Sequence, residues 1–423
     1  MEYKSESVSL EDGEEKPLSI AYVVPSYPEL SETFVWREVA AMTQAGHKVL
    51  IVALREAKTV AQDVRKPDVV IYRRWPTAIR SIARTLCTRP RLATKAISSA
   101  LFDAVFPGEK TSFSARAKCL VQAFAGISIA RKLSSARCSV IHAQFAHASA
   151  SVAMYASIAT GIPWTMTGHA NDLFERRQLL RRKLSRSNGV ACISDWHASL
   201  YRRISLTVSK KLATVRCGVD VPRSSGRNLL TDGKSPFRVI SVGRLVEKKG
   251  FDQLLRAYSE LRDQVSVPTS LSVIGDGPEF HRLTLLARSL GVQEHVHFFG
   301  ACEHRNVRME ISKAQCFVLA CREDSAGDRD GIPIVLMEAM ACGVPAVSGC
   351  IDAIHELIEH EKTGLLVDAT ATSSLAKTIQ SVVENPSHAR EMGARGRERI
   401  ISEFSTVENS KRLEDLFRSA CMG

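Results

Sequence analysis

The stretch VISVGRLVEKKGFDQLL, residues 239–255, holds the repeating unit of the fold. Val239–Val242 is an apolar run bounded by Gly243, which reads as a buried strand. A short charged loop follows, and from about Gly250 the apolar residues Phe251, Leu254 and Leu255 fall at helical spacing. A strand that feeds a helix through a short loop is half of a βαβ unit, which implies a parallel sheet covered by helices. The same alternation recurs on both sides. Downstream, strands are predicted at 271–274, 295–299, 316–320, 345–348 and 365–367, the first of this set being 237–242. Upstream they are predicted at 18–24, 49–54, 140–145, 164–167, 190–193 and 212–217.

The two sets are separated by PRSSGRNLLTDGKSP, residues 222–236, whose Pro, Gly and Ser content marks a linker. The predicted organisation is a disordered tail over 1–17, a first domain over 18–222, a linker over 223–236 and a second domain over 237–400. A helical segment over 401–423 completes the chain and is able to pack back on the first domain. Residues 73–135 read as a basic helical insert. The fold class is α/β: two doubly wound, Rossmann-like domains facing a cleft. Ligands bind such sheets beyond the carboxyl ends of the strands, so function is expected on those loops.

The chain has 423 residues, enough for two cores, with 45% hydrophobic and 24% charged residues. The first seventeen carry six acids and no apolar run, unlike a secretory signal. No stretch offers the about 20 consecutive apolar residues of a membrane span. Eleven scattered cysteines with no C-x-x-C pair suit a reducing, cytoplasmic setting and give no zinc spacing. Residues 1–222 hold 32 Lys+Arg against 18 Asp+Glu, so +14, and the remainder holds 25 against 27, so −2. Clusters such as Arg65-Lys66 and Arg73-Arg74 lack the interleaved aromatics of a nucleic-acid surface; Tyr72 and Trp75 are the only ones in 65–95. No nucleic acid is expected. An anionic membrane surface or an anionic, lipid-linked substrate is the natural partner; a solvated face is the plain alternative.

Candidate site residues sit where the fold puts ligands. Gly243 and Arg244 end one strand, and Lys249 precedes a helix N-terminus, so two cations can face a diphosphate. In LSVIGDGPEFHRLTLLA, residues 271–287, Gly275 and Gly277 let backbone approach a ligand, with Pro278 near the first turn of the next helix. In GDRDGIPIVLMEAMACGVPAVSG, residues 327–349, Gly331 and Pro333 put Asp330 in a loop and Glu338 on a helix that begins near Pro333. A carboxylate in so apolar a helix needs a partner. Paired sugar hydroxyls fit, and so does a backbone amide or an arginine. Asp328-Arg329-Asp330 also spells D-x-D, but the two cations can neutralise a diphosphate without a metal, so no metal or other cofactor is expected. In the first half, WTMTGHANDLF places His169 just past a strand, able to donate a hydrogen bond to a sugar or leaving-group oxygen. In PSYPELSETFVWREV, Ser31 is a candidate cap with Glu32 in the first turn. Ser31, Glu32 and Thr33 thereby mark a helix start open to phosphate or an anionic acceptor.

The series GR-x-x-x-KKG, I-GDGP, two acids around GIPIVLM and EAMACG-x-P resembles the large retaining GT-B glycosyltransferase family with the E-x7-E signature. Within it, SETFVWREVAAMTQAGHKV, VIHAQFAHASASVAM and GIPWTMTGHANDLF look like the bacterial exopolysaccharide and colanic-acid type. The resemblance implies transfer of a hexose from a UDP- or GDP-linked donor to a glycan or lipid-linked acceptor, at the inner face of the cell membrane. It implies that Arg244 and Lys249 bind the donor diphosphate, that Glu338 holds the ribose, and that Asp330 and His169 stand by the transferred sugar. Ile334 and Val335 fall on the donor side, and the loop after Phe299-Gly300 borders the base. It further implies front-face, metal-independent chemistry in which the departing phosphate helps deprotonate the acceptor. Asp330 departs from the family's Glu by one methylene. A GT-B epimerase or hydrolase, or a non-catalytic nucleotide-sugar-binding subunit, are the competing readings.

Overall fold

The computed structural model describes residues 16–29, 32–57, 64–107, 113–169, 178–223 and 236–422. It contains two parallel sheets. The first consists of β1 (Ser19–Tyr27), β2 (Lys48–Glu56), β3 (Val69–Val70), β4 (Val140–Gln144), β5 (Trp164–Gly168), β6 (Gly189–Cys192) and β7 (Leu212–Thr214), in the order β3-β2-β1-β4-β5-β6-β7. The second consists of β8 (Phe237–Val242), β9 (Thr269–Ile274), β10 (Val296–Phe298), β11 (Cys316–Leu319), β12 (Ala346–Gly349) and β13 (Leu365–Val367), in the order β10-β9-β8-β11-β12-β13. Central strands are apolar along their whole length because helices cover both faces. Ile20–Val24 are all fully buried, in register with Val49–Ala53 of β2.

In each sheet the strand order reverses once, between β1 and β4 and between β8 and β11. The crevice at such a reversal is where an open α/β sheet receives ligands. Every strand read from the sequence is present; β3 was not foreseen, being only two residues at a sheet edge. The 73–135 insert is three helices, Trp75–Thr88, Pro90–Val105 and Phe113–Ser135; the second and third pack on the helix Ala148–Thr160, and the first packs on them.

The tail up to residue 15, Ser31 and residues 224–235 of the linker lie outside the described residues. Val219 already packs in the second core, so the chain has crossed between domains before the linker begins. It crosses back at Ser405, which pairs with Val219 in an isolated parallel bridge. Gly218 permits the contact: a Cβ there would stand 2.5 Å from Thr406 Cα. The last helix, Thr406–Met422, lays Leu413, Leu416 and Phe417 against Ile20, Tyr22 and Val140 of the first domain.

One local expectation needs correction. The helix Thr33–Gln44 begins one residue after Glu32, which stands at the cap position with no side-chain capping bond instead of in the first turn. Pro278 lies in the turn that leads into the helix Phe280–Ser289, near its first turn as expected.

Candidate functional site

The reversal in the second sheet brings together the loop after β8 and the loop after β11. Lys249 ends a single turn of 3-10 helix, Glu247–Lys249, and its Nζ stands 2.9 Å from Asp330 Oδ2. Lys248 Nζ stands 2.6 Å from Asp328 Oδ2 and 3.9 Å from Asp330 Oδ1. The two acids of D-x-D therefore face the two ammonium groups of the Lys-Lys pair. Burial alone would pull the Lys249 ammonium down, but Asp330, with help from Cys321 and Asp328, outweighs it and raises its pKa. Lys249 is thus a fixed cation at the crevice. Arg244 is exposed on the same loop.

Gly275 and Gly277 have a reason in packing. A Cβ on Gly275 would come 1.9 Å from the Gly243 carbonyl oxygen, and one on Gly277 2.4 Å from that of Leu245. The loops after β8 and β9 lie backbone to backbone, with Leu245 N–H donating to Asp276 O at 3.0 Å. The Gly275 N–H in turn donates to Gly300 O at 2.8 Å, which brings the loop after Phe299 beside the same turn.

Pro333 caps the helix Ile334–Ala341, with Ile334 and Val335 half-buried in its first turn. Glu338 lies midway along it, 4% exposed. Its Oε1 accepts from Arg37 Nη2 at 2.7 Å and lies 2.7 Å from His304 Nε2. An arginine is therefore the partner this carboxylate has in the structure. Burial would raise the Glu338 carboxyl, but His304 and Arg37 outweigh that and hold it below its ordinary range. Arg37 belongs to the first domain, on the helix after β1, so this ion pair spans the cleft. Arg37 is itself buried, and its Nη1 has no hydrogen-bond partner among the described residues.

On the first domain's side, His169 follows β5 directly and is buried. Its ring lies between Phe34 and Phe145, with centroids 4.7 and 4.6 Å away. Nε2 is 3.2 Å from Gln144 Oε1, and Gln144 Nε2 donates to Glu38 Oε1 at 2.7 Å. Burial, then the neighbouring His197, His147 and His142, lowers the His169 pKa to about 3, so the ring is neutral. Burial raises the Glu38 carboxyl to about 7, against hydrogen bonds from Tyr22 and Gln144 that lower it. Arg37, Glu38, Gln144 and His169 line one hollow together with Thr406 and Asn409. Its volume of about 20 Å³ has room for roughly one water.

The structure thus joins Lys249 to Asp330, and Glu338 to the first domain through Arg37, which shares a hollow with His169. Glu32 and Thr33 stand at the start of the Arg37 helix. Sequence reading missed Arg37, Glu38, Gln144, Lys248 and His304. Lys248 adjoins a residue already singled out. Arg37 and His304 meet Glu338 from 301 and 34 residues away, a pairing that no spacing rule reveals.

Residues 227–399 match the family model described as Glycosyl transferases group 1. They form a group 1 glycosyltransferase domain. The chain is 27% identical, over 95% of its length and all of the relative's, to a Salmonella typhimurium protein named for colanic acid biosynthesis, the glycosyltransferase WcaL. It is 35% identical, over 42% of its length, to the GDP-mannose-dependent alpha-(1-6)-phosphatidylinositol monomannoside mannosyltransferase of Mycolicibacterium smegmatis. That match spans 47% of the mannosyltransferase, about half its length. Among solved structures, Anabaena Alr3699/HepE in complex with UDP superposes with a TM-score of 0.67 at 14% identity, covering 95% of this chain and all of that one. The group 1 domain and the domain before it therefore share the GT-B fold expected from the sequence.

Proposed function

We propose that the protein is a retaining hexosyltransferase. It moves a hexose from a UDP- or GDP-linked donor to a glycan or lipid-linked glycan acceptor in bacterial surface polysaccharide synthesis. The observation that carries the reading is the Lys249–Asp330 pair at the strand-order reversal of the group 1 domain. Lys249 and exposed Arg244 supply cations for a diphosphate. Asp330, beside them, supplies a carboxylate for the hydroxyls of the attached sugar, most valuable as charge develops in the transition state. Glu338 takes the ribose hydroxyls once the nucleotide displaces Arg37, whose guanidinium then has a phosphate within its chemistry. The departing phosphate accepts the acceptor's proton, so no metal is required.

The acceptor side is the first domain, which holds the positive charge. Some cations counted there are spent internally. Lys183 is buried and donates to the carbonyls of Ala146, His147 and Gln178. Arg182 and Arg186 pair with buried Asp103, and Arg65 with Asp68. Arg80, Arg84, Arg89, Arg91, Lys95, Arg116 and Lys118 of the insert are exposed. Arg91 and Lys95 share the second of its helices with exposed Leu101, Phe102 and Val105, and Arg116 and Lys118 share the third with exposed Phe113. Cations beside exposed aromatic and aliphatic side chains suit an anionic bilayer surface. Among the described residues no helix is long and apolar enough to cross a membrane. We place the enzyme at the inner face of the cell membrane, held peripherally.

The test is nucleotide release from a panel of UDP- and GDP-hexoses, with and without a lipid-linked glycan, and the anomeric configuration of the product read by NMR. Acceptor-dependent release with retention supports the reading. Release without acceptor indicates a hydrolase, an isomerised donor an epimerase, and binding without turnover a non-catalytic subunit.

A further inference from the structure

Three side chains from the two domains meet at one point. Arg37 Nη2, on the helix after β1, stands 2.7 Å from Glu338 Oε1 and 2.7 Å from His304 Nε2. His304 Nε2 in turn stands 2.7 Å from the same Glu338 oxygen. These three contacts cannot all be hydrogen bonds. A ring nitrogen either carries a proton and donates to the carboxylate, or carries a lone pair and accepts from the guanidinium. Whichever it does, one side of the triangle is left unbonded. Arg37 is incompletely served elsewhere too. It is 4% exposed, yet Nη1 has no hydrogen-bond partner among the described residues, and Nε has an ion-pair contact with exposed Asp220 at 3.5 Å. A buried guanidinium with an unpaired nitrogen is held below its bonding capacity. The contact that joins the domains is thus one that a ligand with more acceptors can replace.

We infer that Arg37 is an autoinhibitory latch: it occupies the Glu338 carboxylate that a nucleotide's ribose needs, so that the interdomain ion pair and the bound nucleotide exclude each other. This rests on the reading of Glu338 as the ribose carboxylate, and adds that the first domain competes for that group and sets the affinity. The exchange leaves no charge stranded. Glu338 loses the guanidinium, gains hydroxyl donors and keeps His304, which lies in its own domain and can donate through Nε2–H. Arg37 keeps Asp220. A latch closed in about nine molecules of ten raises the apparent Kd of the nucleotide about tenfold, since only the unlatched fraction binds. By linkage, nucleotide opens the latch by the same factor.

The experiment uses the full-length protein with uridine and guanosine, which carry a ribose and no phosphate, and with UDP and GDP. Arg37→Met removes the cation and keeps an unbranched stem, while His304 remains as a partner for Glu338. By calorimetry, Arg37→Met is expected to bind the nucleoside whose base the protein accepts about tenfold more tightly than the wild type does. The gain for the matching diphosphate is expected to be smaller, because the wild type's released guanidinium meets phosphate. A second measurement needs no variant. Phenylglyoxal labels accessible guanidinium groups, and peptide mass spectrometry reads Arg37 separately. Saturating nucleoside is expected to speed the labelling of Arg37 in the wild type, the reverse of ordinary ligand protection. Nucleoside affinity unchanged or weakened in Arg37→Met overturns the inference. So does Arg37 labelling unchanged or slowed by bound nucleoside, which decides the matter even if the variant does not fold. In both cases UDP or GDP binding by the wild type leaves the glycosyltransferase reading standing. If neither protein binds any of these probes, the reading of Glu338 as a nucleotide site has failed, and the latch falls with it.

Discussion

Half-buried polar groups on the loops after β8 and β11 are ions in pairs, Lys249 with Asp330 and Lys248 with Asp328. The polar groups on the helix after β1 and at the ends of β4 and β5 are a hydrogen-bonded line, Glu38, Gln144 and His169, in which the imidazole is uncharged and the carboxyl has its pKa raised to about 7. Both lie at or beside a reversal of strand order, so topology does not distinguish them. Charge does. On the function proposed above, the first site holds a diphosphate, and its fixed cations are balanced by carboxylates. On the same proposal, the second orients hydroxyls with uncharged groups, since a misplaced charge there would be desolvated at high cost. Arg37 and Glu338 close the gap between the two sides with one ion pair.

The sharpest way to break the comparison is Asp330→Asn. It keeps the shape and removes the charge, and turnover should fall by about two orders of magnitude or more, as for loss of one preorganised electrostatic contact. Affinity for free nucleotide should change little, measured by calorimetry, and Asp330→Glu should keep measurable turnover. Near-full turnover in Asp330→Asn would remove the acid from the site.

The neutral side should show itself in the pH dependence of stability. The Glu38 carboxyl titrates at about 7 in the fold, against 4.5 for the ordinary group. The folded state therefore binds more protons than the unfolded chain between those values, and stability falls as pH rises through that window. The loss amounts to at most about 3 kcal/mol by pH 8. Buried His169, His142 and His197, with pKa values lowered to about 3, 3 and 4, have the opposite sign: stability falls as pH drops below about 6.5. Urea titrations from pH 5 to 8 should show Glu38→Gln losing the decline on the alkaline side and keeping the one on the acid side. An unchanged slope would place the ionised carboxyl in water.

Lys249→Ala should weaken donor binding roughly tenfold, the worth of one charge-assisted contact. It also leaves Asp330 without its nearest cation, so the melting temperature should drop by a few degrees rather than stay fixed. Unchanged affinity with a large loss of stability would make the lysine structural. The smallest expected effect is none: turnover in excess EDTA should match that in magnesium. Full loss restored by magnesium would turn the Asp328–Asp330 pair from partners of lysines into ligands of a metal.

How much of this could be read from the chain follows from the range of each interaction. Strands and the Pro333 helix start are local, and they were legible from apolar runs and punctuating Gly and Pro. Asp330 and Lys249 were legible singly, since each follows a strand, but their contact spans 81 residues and is set by the order β8-β11. Gly275 and Gly277 were legible as constrained backbone, yet the neighbour that constrains them is another loop of the same domain. Glu38 was not legible at all. On the sequence it is the lone acid of a mostly apolar helix, and only packing against Gln144 shows that it faces inward.

The return of the chain at Ser405 has a consequence for biosynthesis. Tyr22 and Ile20 of the first strand are covered by Leu413, Leu416 and Phe417. The whole second domain is therefore translated between the opening strand and the helix that completes its core. Until that helix arrives, a nascent first domain presents an apolar face, the kind of surface that chaperones recognise. A fragment that stops near residue 223 would keep the same face uncovered. The two domains are consequently one unit of folding.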